Sequence, residues 1–343
     1  MSSVSTRFIL GRAINAILTL LLLILIVFVL IHIIAPDPID LARLYAPNPH
    51  VPLSSLQVIV REYGLDQPLP VQLINYVSNV LHGNFGTDTL YAVPELQVLE
   101  QFLPITLEIV FLGQLLGVII GIFTGSIAAA SKGGVRDYAV KAFYLSTWSI
   151  PTFLAAFLFQ LILAYGLGLL PAGGIADPLL IPPPAVTNFP LIDALLAGNW
   201  AYFWSVAQHL VLPVITIALI GFGTVTRLTR SSMLGALNKD YVKLAYMKGQ
   251  TKNKVVYGTA FRNAVIPIVT IVAVGFGVSV GGSIIVEYIF QYHGIGYFIY
   301  QSTINLDYVA ILGFTIVLGT FVILANFIAD LLYAYLDPRV RLT

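Results

Sequence analysis

The stretch Pro104-Ile105-Thr106-Leu107-Glu108-Ile109-Val110-Phe111-Leu112-Gly113-Gln114-Leu115-Leu116-Gly117-Val118-Ile119-Ile120-Gly121-Ile122-Phe123-Thr124-Gly125-Ser126-Ile127-Ala128-Ala129-Ala130 contains a single charged residue, Glu108. About 20 apolar residues in a helix cover the roughly 30 Å of hydrocarbon in a bilayer, so this stretch is long enough to cross one. Gly113, Gly117, Gly121 and Gly125 recur every four residues and strip one helical face of side chains. A bare face lets another helix approach closely; the sharper alternative is a pore lined by backbone.

Five more stretches read the same way: Ala13–Ile34, Ala139–Gly168, Ala207–Thr226, Ala264–Phe290 and Tyr308–Tyr335. The expected fold is therefore an all-α polytopic membrane protein with six transmembrane helices. Composition agrees, because 58% hydrophobic and 10% charged residues, with a mean hydropathy of +0.90, leave too little charge to cover a water-soluble globule of 343 residues. The first stretch exceeds a secretory signal core, and Ala35-Pro36-Asp37-Pro38 follows it without an A-x-A site, so it is expected to be retained.

A formal net charge of +1 gives no reason to expect nucleic acid. Cysteine is absent and the five histidines are scattered without an HExxH pattern, so no metal site is expected. Lys132 and Lys248 precede their glycines, so neither completes a phosphate-binding loop, and no G-x-S-x-G elbow occurs. The chain is thus expected to be no enzyme and to bind no cofactor itself. The candidate ionisable residues within the spans are Glu108, Glu287, Asp330 and His209; each lies near a span end, where it is expected to reach water or headgroups or to serve as a structural polar group. A proton- or sodium-coupled carrier would place such a group mid-membrane.

Short loops rich in Lys and Arg stay cytoplasmic. With the amino terminus inside, every basic residue except Arg43 and Arg61 falls on the inner side, while Asp37, Asp40, Glu62, Asp66, Asp88, Glu95, Glu100, Asp177, Asp193 and Asp307 collect outside. Both termini are then cytoplasmic. Three regions follow: 1–34, with the amino terminus and first span; 35–102, extracytoplasmic; and 103–343, a core of five spans with a cytoplasmic loop at 227–262. In the outer region, Val71, Ile74, Tyr76, Val77, Val80 and Leu81 repeat at helical spacing and are expected to fold on the membrane surface. A second outer stretch, from Leu169 to Val206, carries Pro178, Pro182–Pro184 and Pro190 and is expected to be extended.

Inside the basic loop, Asn238-Lys239-Asp240 offers a helix start, Tyr241–Lys248 reads as two turns, Gly249 is a stop, and Thr251 starts another helix. A short helix held between two spans suits a docking peg; a positive-inside anchor is the plainer alternative. Asp240-Tyr241-Val242-Lys243-Leu244-Ala245-Tyr246-Met247-Lys248-Gly249, followed by Arg262-Asn263-Ala264-Val265-Ile266-Pro267, resembles the Glu-Ala-Ala loop of binding-protein-dependent ABC importer permeases in its peptide/nickel form. The likeness spans nearly the whole chain. It includes Tyr63-Gly64-Leu65-Asp66-Gln67-Pro68, Leu103-Pro104-Ile105-Thr106-Leu107-Glu108, Ser149-Ile150-Pro151, Gly282-Ser283-Ile284-Ile285-Val286-Glu287, Gly294-Ile295-Gly296 and Leu336-Asp337-Pro338-Arg339-Val340-Arg341. Lys243 stands where the loop's name-giving glutamate would be, and Tyr246 where arginine is frequent.

The resemblance implies a type I ABC importer permease fold in the cell membrane. It makes Asp240, Tyr241, Ala245, Lys248 and Gly249 parts of a helix coupled to an ATPase, and Ser149, Pro151 and Glu287 candidates for the path or its gate. Implied partners are a second permease, two cytoplasmic ATPase subunits carrying ATP and Mg, and an extracytoplasmic solute-binding protein. Short peptides are the leading implied substrate, ahead of oligosaccharides and nickel chelates.

Overall fold

The computed structural model describes residues 6–46 and 51–336; the matched terminal segment Asp337–Arg341 lies outside them. The described residues are helical, with one isolated antiparallel bridge between Thr87 and Pro94. In chain order come α1 (Thr6–Ile34), three short helices α2 (Pro38–Leu44), α3 (Leu53–Tyr63) and α4 (Leu69–Leu81), and the long α5 (Glu95–Ala130). Next are α6 (Val135–Trp148) and α7 (Thr152–Phe159), the latter continued by a π-helical turn at Gln160–Gly166. A proline-rich loop leads to α8 (Pro190–Leu196), the long α9 (Trp200–Leu237) and the short α10 (Asp240–Met247). After α11 (Lys252–Lys254), a π-helical Val255–Ala260 and α12 (Phe261–Ala264), the chain ends in α13 (Ile266–Ile289), α14 (Ile295–Ile304) and α15 (Tyr308–Leu336).

The pair α5 and α9 forms the centre, with α13 packed on both and joined to α15, while α1 lies outside against α15. The periodic glycines explain the pairing. A Cβ added at Gly113 would lie 2.6 Å from Ile217, at Gly117 2.9 Å from the Ala218 carbonyl, at Gly121 2.6 Å from Val225 and at Gly125 2.6 Å from the Thr226 carbonyl. Only hydrogen fits at such a seam, which brings Cα–H and backbone dispersion contacts within range along about four turns. On the perimeter, α1 exposes Leu10, Ile14, Ile17, Leu18, Leu21 and Leu22. A face that apolar belongs in lipid.

Three expectations need correction. The stretch Ala139–Gly168 is not one straight span: α6 and the α7 segment meet at 97°. Pro151 has no N–H for a helix and pushes Ile150 out of helical backbone space, so α6 stops at Trp148 and Pro151 becomes the residue that starts α7. Secondly, the helices around Pro104 and Thr226 outrun the apolar stretches. Pro104 sits inside α5, and the Glu100 carbonyl that its missing N–H would have served accepts a long 3.4 Å bond from the Asn188 side chain. Likewise α9 continues past Arg227 and Arg230, so the basic loop begins as helix. Thirdly, the outer region holds α2 and α3 besides the expected α4, and the proline-rich stretch is a series of bends and turns, with its longest run free of them at 181–185, before α8 begins.

Candidate functional site

Helix α10 follows α9 after a turn at Asn238-Lys239, and its inner face decides its position. Val242 and Ala245 are buried against Met233, Ala236, Val255, Val256 and Ala260. Gly249 (φ +75°) ends the helix: its N–H donates to the Tyr246 carbonyl at 2.9 Å, and the Gln250 N–H reaches back to Ala245 at 3.2 Å. These two bonds define a Schellman stop, whose left-handed residue costs glycine nothing. Lys248 is the last residue before it. On the surface, Asp240 and Lys243 form an exposed ion pair at 2.9 Å. The face turned away from the bundle carries Tyr241, Leu244 and Met247, which are 37%, 48% and 77% exposed. The sequence placed the helix but ranked its residues by motif; Ala245 points into its own chain, and the outward face belongs to Leu244 and Met247.

One strap joins this region to the next helix. Arg230 on α9 donates Nε and an Nη to the two Asp137 oxygens at 2.7 and 2.8 Å. Asp137, on the first turn of α6, is fully buried and also receives the Gly133 N–H at 3.0 Å and Lys141 at 3.1 Å. The Asp137/Lys141 spacing of four was the only visible signal, since Arg230 lies 93 residues away.

The break between α6 and α7 borders a cavity of about 250 Å³, lined by Thr147, Trp148, Pro151, Thr152, Thr216 and Ile220 among others. Pro151 is exposed there, as is Ser149, whose hydroxyl turns back to the Leu145 carbonyl at 2.8 Å.

Of the two expected roles for the ionisable span residues, two of the four take the structural one and do not reach water. Glu287 is fully buried. Its carboxyl accepts from Thr106 at 2.8 Å, Ser283 at 2.7 Å and the Tyr297 N–H at 3.0 Å. Gly294 and Gly296 make room for it, since a Cβ at either would lie within 3 Å of Glu287. Thus Glu287 knits α5, α13 and α14 and, in this conformation, lines no path. Glu108 is also buried and accepts the Leu191 N–H at 3.1 Å. His209 bonds the Ser205 carbonyl through Nδ1 at 2.7 Å, and Asp330 pairs with Arg12 at 3.0 Å. Replacing Glu287 by Ala removes the acceptor from two buried hydroxyls and the partly buried Tyr297 N–H, so an unfolding free-energy loss of about 1–3 kcal/mol is expected; thermal unfolding of the detergent-solubilised protein measures it, with Glu287→Gln intermediate.

Residues 117–342 match the model for the binding-protein-dependent transport system inner membrane component. Residues 5–93 match that for the N-terminal part of binding-protein-dependent transport system membrane components. Among curated relatives, the probable D,D-dipeptide transport system permease protein DdpB of Escherichia coli (strain K12) is 38% identical over 316 residues, covering 92% of each chain. The dipeptide transport system permease protein DppB of the same strain is 31% identical over 98% of each chain. The di/tripeptide transport system permease protein DppB of Pseudomonas aeruginosa (strain UCBPP-PA14) is 32% identical over 92% of this chain and 93% of its own. An all-helical bundle with five helices long and apolar enough to cross a membrane, or six if the bent pair counts as one, matched along most of its length by these models, belongs to the family of multi-pass inner-membrane permease subunits of binding-protein-dependent ABC importers.

Proposed function

We propose that this chain is one permease half of an importer of short peptides, working with a second permease, two ATPase subunits that hold ATP and Mg, and an extracytoplasmic binding protein. Peptides are favoured over oligosaccharides and nickel chelates because the similar permeases named above are dipeptide or di/tripeptide proteins. In this reading α10 and both termini face the cytoplasm, as the distribution of Lys and Arg requires. Residues 1–34 and 35–102 then form a peripheral span and an outer cap on a core at 103–343.

The single observation that carries the proposal is the outward face of α10. A helix clamped on one side by Val242 and Ala245 offers Tyr241, Leu244 and Met247 on the other, ringed by Lys239, Lys243 and Lys248. A rigid seat with an apolar crown suits a groove in the ATPase. Closure of the ATPase pair on ATP would draw the two α10 helices together and reopen the bundle outward, because ATP binds one conformation more tightly. The cavity at the α6–α7 break, with Pro151 in its lining and Ser149 exposed beside it, supports this segment as part of the peptide path, since unwound backbone in a membrane belongs where it lines a cavity.

Each fully buried aliphatic side chain contributes about 1.5–3 kcal/mol. The expected result for the double variant Leu244→Asp, Met247→Asp is therefore at least a roughly tenfold loss of ATPase subunits retained on the purified permease, with peptide uptake lost in parallel. Unchanged retention and uptake would remove α10 from the docking role. Uptake by this chain alone under an ion gradient would overturn the importer reading itself. Binding of sugars or nickel chelates, and no peptides, by the cognate binding protein would overturn the substrate alone.

A further inference from the structure

Away from these surfaces, three carboxyl groups meet where the loop between α4 and α5 hooks onto the start of α15. Asp88, Glu95 and Asp307 are 0%, 0% and 1% exposed. Their donors are unevenly shared. Asp307 receives the Thr89 N–H at 2.8 Å, the Thr89 hydroxyl and the Ala310 N–H at 3.0 Å. Asp88 receives the Tyr91 N–H on Oδ1, while its Oδ2 has no partner. Glu95 has no partner on either oxygen, and its stem is pressed on Gly313 of α15, where a Cβ would lie 2.9 Å from Cγ.

The Thr87–Pro94 bridge, with the Asp88 N–H on the Val93 carbonyl at 2.9 Å and the Glu95 N–H on the Gly86 carbonyl at 3.0 Å, brings the backbones of Asp88 and Glu95 together, and Thr89 ties Asp307 to them. Facing the group are Asp88 and Tyr91 from the loop, Asp307 from the α14–α15 turn, Glu95 from α5 and, beyond Tyr91, Tyr297 from α14. Among the described residues no Lys, Arg or His pairs with any of the three acids. A buried carboxylate with no protein donor and no cationic side chain, beside two other acids, is far less stable than its protonated form. Protonated, Glu95 becomes a donor, and the oxygen left without one is Asp88 Oδ2.

We propose that one proton, held between Glu95 and Asp88, fastens the Gly83–Pro94 loop to the α14–α15 turn and makes this junction a proton-operated latch. Asp307, which accepts three donors, is the anchor of the latch. Burial, with Asp307 beside it, pushes the Asp88 carboxyl above its usual range. The latched form binds a proton that the open form releases once pH exceeds the ordinary carboxylate range. Latching is therefore complete on the acid side and falls about tenfold per pH unit above that range, until the latched form loses the proton too. The latch does not depend on the transport reading; the proposed orientation fixes only that it senses the pH outside.

The test uses the full-length chain in lipid nanodiscs, with protease cleavage inside residues 83–94 followed from acid to alkaline pH. The wild type is expected to be cleaved about tenfold faster per pH unit across the opening window and to show an infrared band of a protonated carboxyl. Glu95→Gln, whose amide stays neutral and donates to Asp88, should flatten the profile and remove its own component of the protonated-carboxyl band, leaving any contribution of the buried Glu108 and Glu287. Asp88→Asn, whose amide can donate to an ionised Glu95, should flatten it as well. Asp307→Asn should speed cleavage at every pH without changing the slope. A flat wild-type profile, or a Glu95→Gln slope equal to the wild type's, would overturn the proposal. Protection at alkaline pH by added calcium or magnesium, with no Glu95 component in the carboxyl band, would assign the three acids to a divalent cation and overturn it too.

Discussion

Gly117→Leu is expected to leave almost no folded protein, because the space its side chain needs is occupied by the backbone of α9. Even a Cβ would lie 2.9 Å from the Ala218 carbonyl oxygen and 3.3 Å from its Cα, atoms that no rotamer change can move. For Gly117→Ala two effects oppose each other. Helix propensity favours Ala by about 1 kcal/mol, and overpacking costs about 1–3 kcal/mol. Backbone contact places this site at the upper end, so net destabilisation wins; Leu adds three carbons to the same collision. Gly125→Ala, aimed at the Thr226 carbonyl at 2.6 Å, should behave alike. Gly235→Ala is the control: it sits on the same α9 with nothing within 4 Å, so only the propensity gain remains. Thermal unfolding and monodisperse yield in detergent separate the cases, and a well-folded Gly117→Leu protein would show that α5 and α9 are not packed as described.

Asp137→Ala is expected to cost about 1.5–3 kcal/mol, the worth of hydrogen bonds to a charged group, because Arg230 and Lys141 keep 21% and 31% of their side chains exposed and can be rehydrated. That is a large share of a total stability of about 5–15 kcal/mol. The loss strands a bidentate Arg230, frees the Gly133 N–H and leaves Lys141 unpaired. Arg230→Lys should be intermediate, because a single ammonium cannot span both oxygens. Removing both charges in an Asp137→Ala, Arg230→Met double variant should recover much of the loss. Equal unfolding temperatures for the Asp137→Ala and wild-type proteins would show that the pair contributes nothing.

Apolar stretches announced five of the long helices, because a bilayer demands them and little else competes. Hydropathy averages along the chain and carries no direction, so the turn at Pro151 passed as the middle of a span. The signal was present, since Ser149-Ile150-Pro151 is a local helix stop in any solvent. The extension of α9 was also legible: Met233, Ala236 and Leu237 continue an apolar spacing past Arg230 that the basic residues obscured. The destinations of the acids were not legible. Glu287 finds Thr106 across 181 positions and Asp307 finds Thr89 across 218, and no local pattern encodes such meetings. Near α10 the motif gave the helix and its glycine stop, yet which side faces outward depends on Val255, Val256 and Ala260, residues of another segment.

The unbroken length of α9 has a mechanical consequence. Its 38 residues, with Pro213 inside the helix, reach about 57 Å, nearly twice the hydrocarbon thickness. The glycine seam grips it between Ile217 and Thr229, which serves as a fulcrum set off centre. The free end beyond Thr229 measures about 12 Å and ends at α10; the free end from Trp200 to the grip measures about 25 Å and carries the proline-rich loop. Pivoted on the middle of the grip, the two arms are about 35 and 21 Å, so each ångström by which the peg is displaced swings the opposite tip about 1.6 Å the other way.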